Sequence, residues 1–276
     1  MVSELSTVNI VAVPSSADSF TRIALYSVPQ GKKRVKAIHI MLAPDHGTAA
    51  ISVRSAPIIR LQGDGLGEQS PHDYVGPFGG VAVTTDGTMV QENVNVDYEV
   101  DIPVVPGGEI EVLVNTLDEA ITAGTVLVAL IYDDDAPKAN NSMAQTTDAA
   151  LDTTADRFSN VGTVRIPLPE AAKAPKKIIA IIIGVAVDNG TSAVSLRGGV
   201  RIRMTGDGLK EAGDHEYLAK GFTEGRVTVG SIAFSNLTKV IKVDLDINAG
   251  GSVLVEQRVE VETPTAGTIA VGFIYA

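Results

Sequence analysis

The sequence predicts an all-β protein made of two tandem, duplicated antiparallel β-sandwiches. Three observations predict this. First, segments of the first half recur in the second, 143 residues on: Gly63-Asp64-Gly65-Leu66 as Gly206-Asp207-Gly208-Leu209, His72-Asp73-Tyr74 as His215-Glu216-Tyr217, and Ile131-Tyr132 as Ile274-Tyr275. Arg22-Ile23 and Arg165-Ile166 fall on the same offset, so one gapless register is expected throughout. Second, apolar and polar residues alternate with period two, most clearly over Val94-Asn95-Val96-Asp97-Tyr98-Glu99-Val100-Asp101-Ile102, which is the pattern of a half-buried antiparallel strand. Third, turn signals such as Pro29-Gln30-Gly31, Pro44-Asp45-His46-Gly47, Asp86-Gly87 and Pro106-Gly107-Gly108 punctuate the chain at short intervals.

In chain order, residues 1–19 form an N-terminal arm, available to pair with a neighbour. Ser16-Ala17-Asp18-Ser19-Phe20 is echoed by Thr154-Ala155-Asp156-Arg157-Phe158, so the duplicated unit includes its lead-in. The first sandwich spans 20–132, with strands expected at Thr21–Val28, Arg34–Leu42, Ala49–Arg54, Ile58–Leu61, Val81–Thr84, Val94–Ile102, Glu109–Asn115 and Thr125–Tyr132. About eight short strands in about 110 residues fit a jelly roll better than an immunoglobulin-like sandwich. Residues 133–157 are expected to link the copies, with one helical turn near Ala144–Leu151. The second sandwich spans 158–276. Its long apolar run, Ile178–Val187, is the length of a long strand.

Composition narrows the function. The formal net charge is −11, with 33 Asp and Glu against 22 Lys and Arg. Tight contact with a phosphate backbone rests on clustered cations, so no direct nucleic-acid role is expected. The absence of cysteine removes disulfides, thiolate metal sites and thiol nucleophiles. No apolar stretch reaches the ~18 residues of a transmembrane helix, and Met1–Val13 has no signal-peptide pattern. No Trp and few other aromatics leave little for carbohydrate platforms or base stacking.

Chemistry-bearing residues are sparse. His39 and His46 stand opposite Ile182 and Asn189 in the second copy and read as packing or surface residues. Asp64, His72 and Asp73, with their counterparts Asp207, His215 and Glu216, have the oxygen and nitrogen donors of a divalent-metal site. Their spacing matches no specific metal motif, and Asp-Gly is a common turn pair, so a loop pinned by local hydrogen bonds is the expected reading. Gly63-Asp64-Gly65 lacks the Lys and helix of a phosphate loop. No nucleophile elbow or nucleotide fingerprint occurs, so no catalytic residue, metal or cofactor is assigned.

The segment Leu25-Tyr26-Ser27-Val28-Pro29-Gln30-Gly31-Lys32-Lys33-Arg34-Val35-Lys36-Ala37-Ile38-His39-Ile40, with Ala50-Ile51-Ser52-Val53-Arg54 after it, resembles a phrase of phage and archaeal-virus structural β-domains. The second copy departs from it, with Pro169 to Pro175 in place of the Pro-x-Gly turn. Two tandem sandwiches also look like a double jelly-roll capsid protein, a class whose trimers mimic a hexamer. The resemblance implies a non-enzymatic virion structural protein, as shell subunit, decoration or tail component. Its implied partners are copies of itself, as a trimer or larger assembly, and other virion proteins. A host self-assembling surface protein and a ligand- or metal-binding sandwich are the alternatives.

Overall fold

The computed structural model describes residues 10–12, 19–45, 52–67, 71–76, 79–83, 89–91, 94–118, 123–137, 144–154, 156–168, 175–188, 195–226, 232–233, 237–261 and 266–276. His46, the Asp86-Gly87 turn, Ala49–Ile51 and most of the N-terminal arm lie outside them. Among the described residues the structure is all-β, with four antiparallel sheets and no helix.

The first copy contributes β1 (Ile10–Ala12), β2 (Thr21–Ser27), β3 (Arg34–Asp45), β4 (Ser52–Gln62), β5 (His72–Val75), β6 (Gly79–Val83), β7 (Met89–Gln91), β8 (Val94–Pro103), β9 (Glu109–Asp118) and β10 (Ala123–Asp133). The second contributes β11 (Ala144–Ala150), β12 (Ser159–Arg165), β13 (Lys177–Asp188), β14 (Ser195–Thr205), β15 (His215–Arg226), β16 (Ile232–Ala233), β17 (Leu237–Asp246), β18 (Ser252–Val261) and β19 (Ala266–Tyr275).

The first copy builds one sheet in the order β1-β10-β3-β8 and a second in the order β2-β9-β4-β6-β7, with β5 also on β4. The second copy repeats this as β11-β19-β13-β17 and β12-β18-β14-β15-β16. Each copy thus alternates between two facing sheets in the strand order of a jelly roll. Alternate residues point inward: Ile38, Ile40, Leu42, Val126, Val128 and Leu130 from one sheet meet Ile59, Leu61, Val112 and Val114 from the other.

Registers coincide between copies, but not at a single offset. Leu130 pairs with Ile38 and Phe273 with Ile181, each 143 residues on. In the first strands, however, Ser27 pairs with Glu109 while Arg165 pairs with Ser252, so β2 and β12 are 138 residues apart. The lead-in strands share that offset, because Ile10 pairs with Leu127 and Asp148 with Ala270. The expected gapless register is therefore corrected: Arg165 stands at the place of Ser27, not of Arg22. Eleven positions separate Ile166 from Lys177, against six from Val28 to Arg34. The added residues fall between strands, where insertion disturbs no ladder.

Three other expectations change. Ala49–Arg54 and Ile58–Leu61 were expected as two strands, but residues 52–62 form one, β4. Pro57 sits where β4 changes partner from β6 to β5, so its missing N–H falls between two ladders. Ala144–Leu151, expected as a helical turn within the 133–157 linker, supplies β11, an edge strand on β19. In the arm, Ile10–Ala12 pairs with β10 of its own chain. β11 lacks a strong period because an edge strand of mixed exposure needs none.

The two copies meet through β13. Ile181, Ile183 and Val185 enter the core of their own sandwich, whereas Ala180 and Ile182, with Ala270 and Ile274 of β19, join the hydrophobic cluster of the first copy. A strand buried on both faces must be apolar at successive positions, which accounts for the run from Ile178. At the equivalent places the first copy carries Ala37 and His39, on a face that is partly open.

Ile182→Ala is expected to cost about 2–5 kcal/mol, because it opens a cavity between the copies. His39→Ala, at the equivalent position, changes stability by less than about 0.5 kcal/mol. Denaturant unfolding of the dilute chain measures both, and equal effects would contradict the joint described.

Candidate assembly surfaces

The residues singled out by sequence are used in each copy to fasten loops and strands. In the loop between β4 and β5, Asp64 Oδ1 accepts from the Glu109 amide at 2.7 Å. Gly65 N donates to Glu109 O at 2.9 Å, and Val105 N donates to Gly65 O at 2.9 Å. The second copy repeats this clasp: Ser252 N donates to Asp207 Oδ1 at 2.7 Å, Gly208 N to Ser252 O at 3.0 Å, and Asn248 N to Gly208 O at 2.9 Å. The glycines are required by close approach. Gly63 and Gly206 have φ of 125° and 126°, and a Cβ on either would lie 2.3 Å from a carbonyl oxygen, that of Glu109 or Ser252. The loop after β4 is thus tied to the loop between β8 and β9.

His72 and Asp73 lie on a strand, not in the loop, and the pleat sends them to opposite faces. His72 is fully buried. Asp73 forms a bidentate pair with Arg60 at 2.7 and 2.8 Å, and that guanidinium lies 3.9 Å from the Phe20 ring centroid. The Arg60 pKa is raised, first by this hydrogen bonding to Asp73. Arg203 stacks in the same way over Phe158, at 4.0 Å. Glu216 pairs instead with Arg201 at 2.8 Å, beside His215 at the start of β15. Among the described residues no three His, Asp or Glu side chains converge at metal-ligand spacing.

Sequence reasoning missed the surface where the copies meet. Val75, at 0% exposure, lies over Gly272, where a Cβ would come within 3.0 Å of Val75 Cγ2. Thr238 Oγ1 approaches the Gly76 carbonyl at 3.4 Å, and Lys242 Nζ lies 3.5 Å from the Glu99 carboxylate. The buried Tyr98 hydroxyl donates to the Val75 carbonyl and pins β5 in place. Its burial pushes the phenol pKa well up, so it stays a neutral donor. Beside these contacts is a cleft of about 550 Å³, lined by Asp97, Tyr98, Glu99, Ile179, Val240 and Lys242 among others.

The joint is heterologous: an edge of the first copy, β5 and β8, meets the outer sheet face of the second, β11, β13, β17 and β19. The fold supplies each surface twice, so among the described residues one edge and one face are left without a partner domain. Leu218, at the place of Val75, is 61% exposed, and Met41, at the place of Gly184, is 36% exposed. A position-by-position comparison of the copies carries this signal.

No protein-family model and no curated protein sequence matches the chain. Among solved structures, the chain is similar to the major capsid protein of STIV, the Sulfolobus turreted icosahedral virus, with TM-score 0.44 and 11% identity over 98% of this chain and 96% of that one. It is similar to the major capsid protein of bacteriophage PM2 at TM-score 0.36 and 10% identity, covering 98% and 97%. It is also similar to N-glycanase F at TM-score 0.33 and 10% identity, covering 97% and 96%.

Gly63→Ala and Gly206→Ala are each expected to destabilise their sandwich by about 2–4 kcal/mol, through backbone strain and contact. Asp64→Ala and Asp207→Ala cost about 1 kcal/mol each through the lost amide partner. Thermal melting checks all four, and glycine variants as stable as the parent chain would remove the clasp.

Proposed function

We propose that this chain is a non-enzymatic virion structural protein, a shell subunit or a decoration or tail component, that assembles with copies of itself and with other virion proteins. The observation that carries the reading is the heterologous joint with both of its mates open. An edge-on-face contact repeated between chains closes a ring or runs on as a filament. Three chains of two sandwiches each give a six-unit ring, the arrangement that the likeness of two tandem sandwiches to double jelly-roll capsid proteins implied. The acidic balance suits an outward-facing surface better than one lining a packaged genome. No helix among the described residues is long and apolar enough to cross a membrane.

Native mass spectrometry with negative-stain imaging tests the reading. The full-length chain is expected as a trimer or larger assembly, and Leu218→Asp as a folded monomer. A parent chain that stays monomeric over a wide concentration range would overturn it.

A further inference from the structure

The two copies carry opposite charges at one equivalent position, Glu99 in β8 and Lys242 in β17, and that position lies on both surfaces of the joint. Glu99 belongs to the edge of the first copy, where it faces Lys242 at 3.5 Å. Lys242 belongs to the covered face of the second copy, and by the duplication Glu99 occupies the same place on the open face of the first. Lys242 likewise occupies, on the open edge of the second copy, the place of Glu99 on the covered one. Both side chains keep most of their surface open despite their contact, 84% for Lys242 and 90% for Glu99.

We propose that Glu99 and Lys242 alternate around the assembled ring, so that each Glu99 lies between two lysines and each Lys242 between two glutamates. The proposal rests on the ring reading above and names the partner of its open surfaces: a second copy of this chain, docked as the first sandwich docks on the second. Repetition of the joint brings the Lys242 edge of one chain to the Glu99 face of the next. The same charge pair then recurs at every joint, within and between chains. Had the two positions stayed alike after duplication, every contact would set like charges together, and mutual repulsion would weaken each joint.

The other contacts transfer in the same way. Leu218 takes the place of Val75 and is 61% exposed, while Ala129, small and 4% exposed, takes the place of Gly272. Asn95 takes the place of Thr238, with an amide able to donate to a carbonyl of the neighbouring edge. The open surfaces therefore keep the apolar anchor, the hydrogen-bond donor and the charge pair of the covered ones.

The test compares the parent chain with Glu99→Lys, Lys242→Glu and the double exchange, by native mass spectrometry and sedimentation across concentration in low salt. Glu99→Gln and Lys242→Gln serve as neutral variants, and circular dichroism checks that each chain is folded. Each single reversal is expected to raise the concentration of half-dissociation about tenfold, since attraction becomes repulsion at each joint between chains. The double exchange restores parent behaviour, and the differences shrink in about 1 M salt, where screening is nearly complete. Single reversals that assemble like the parent chain, or a double exchange as weak as the singles, would overturn the alternation while leaving the ring in place. A parent chain that is monomeric throughout would overturn the ring and the alternation together.

Discussion

The architecture depends on a strand that is buried on both faces. β13 must fill the core of its own sandwich with Ile181, Ile183 and Val185 while offering Ala180 and Ile182 to the other sandwich. Neighbouring positions are held small, with Gly184 on the strand and Ala270 and Gly272 on β19, and this lets an edge strand approach the sheet closely. Two sandwiches linked only by a flexible segment would keep independent orientations. Here the apolar seam, the Thr238 contact and the Glu99–Lys242 pair set one orientation, and that orientation decides which surfaces stay open.

Within each sandwich, order at the loop end comes from the clasp. Asp64 and Asp207 each bring a carboxylate to an amide at the start of a distant strand, while glycines let two loop backbones touch. A Gly-Asp-Gly-Leu segment is retained in both copies because a local contact needs each residue: a positive φ, an acceptor, a missing Cβ and an apolar plug. Identity between duplicated segments marks any strict constraint, and here backbone geometry supplies it.

Much of the fold was legible because period-two alternation is a direct record of one-sided burial. β8 and β17 were plain from Val94-Asn95-Val96 and Val243-Asp244-Leu245. The signal failed where burial was not one-sided. β11 is a polar edge strand with little alternation to read, and the strands of His72 and His215 begin next to a loop that drew attention to itself as a motif. The repeated Arg-Ile dipeptide set the first strands five residues out of register, because a short identity weighs less than a ladder of paired amides. The joint left its mark as an unbroken apolar run in β13, facing an alternating stretch in β3. Only the difference between the copies distinguishes a strand covered twice from one that is merely long.

Duplication also separates two demands that one surface could not meet at once. A joint between domains of one chain forms as the chain folds and is never presented to solvent as a finished surface, so it can carry a buried Ile182, with the partly exposed Val240 at its rim, and little to keep it soluble. A surface that waits for a partner must remain soluble until the partner arrives. At those two places the first copy carries His39 and Asp97, whose side chains lie 2.5 Å apart across neighbouring strands. Apolar side chains are kept at Met41, between Leu127 and Asn95 of the neighbouring strands, and, on the other open edge, at Leu218, opposite Arg201. That polar dilution is expected of an association that forms after folding, and the undiluted seam at Ile182 of one formed with it. The two copies thus differ where one covers its surface within the chain and the other leaves the equivalent surface exposed at Met41.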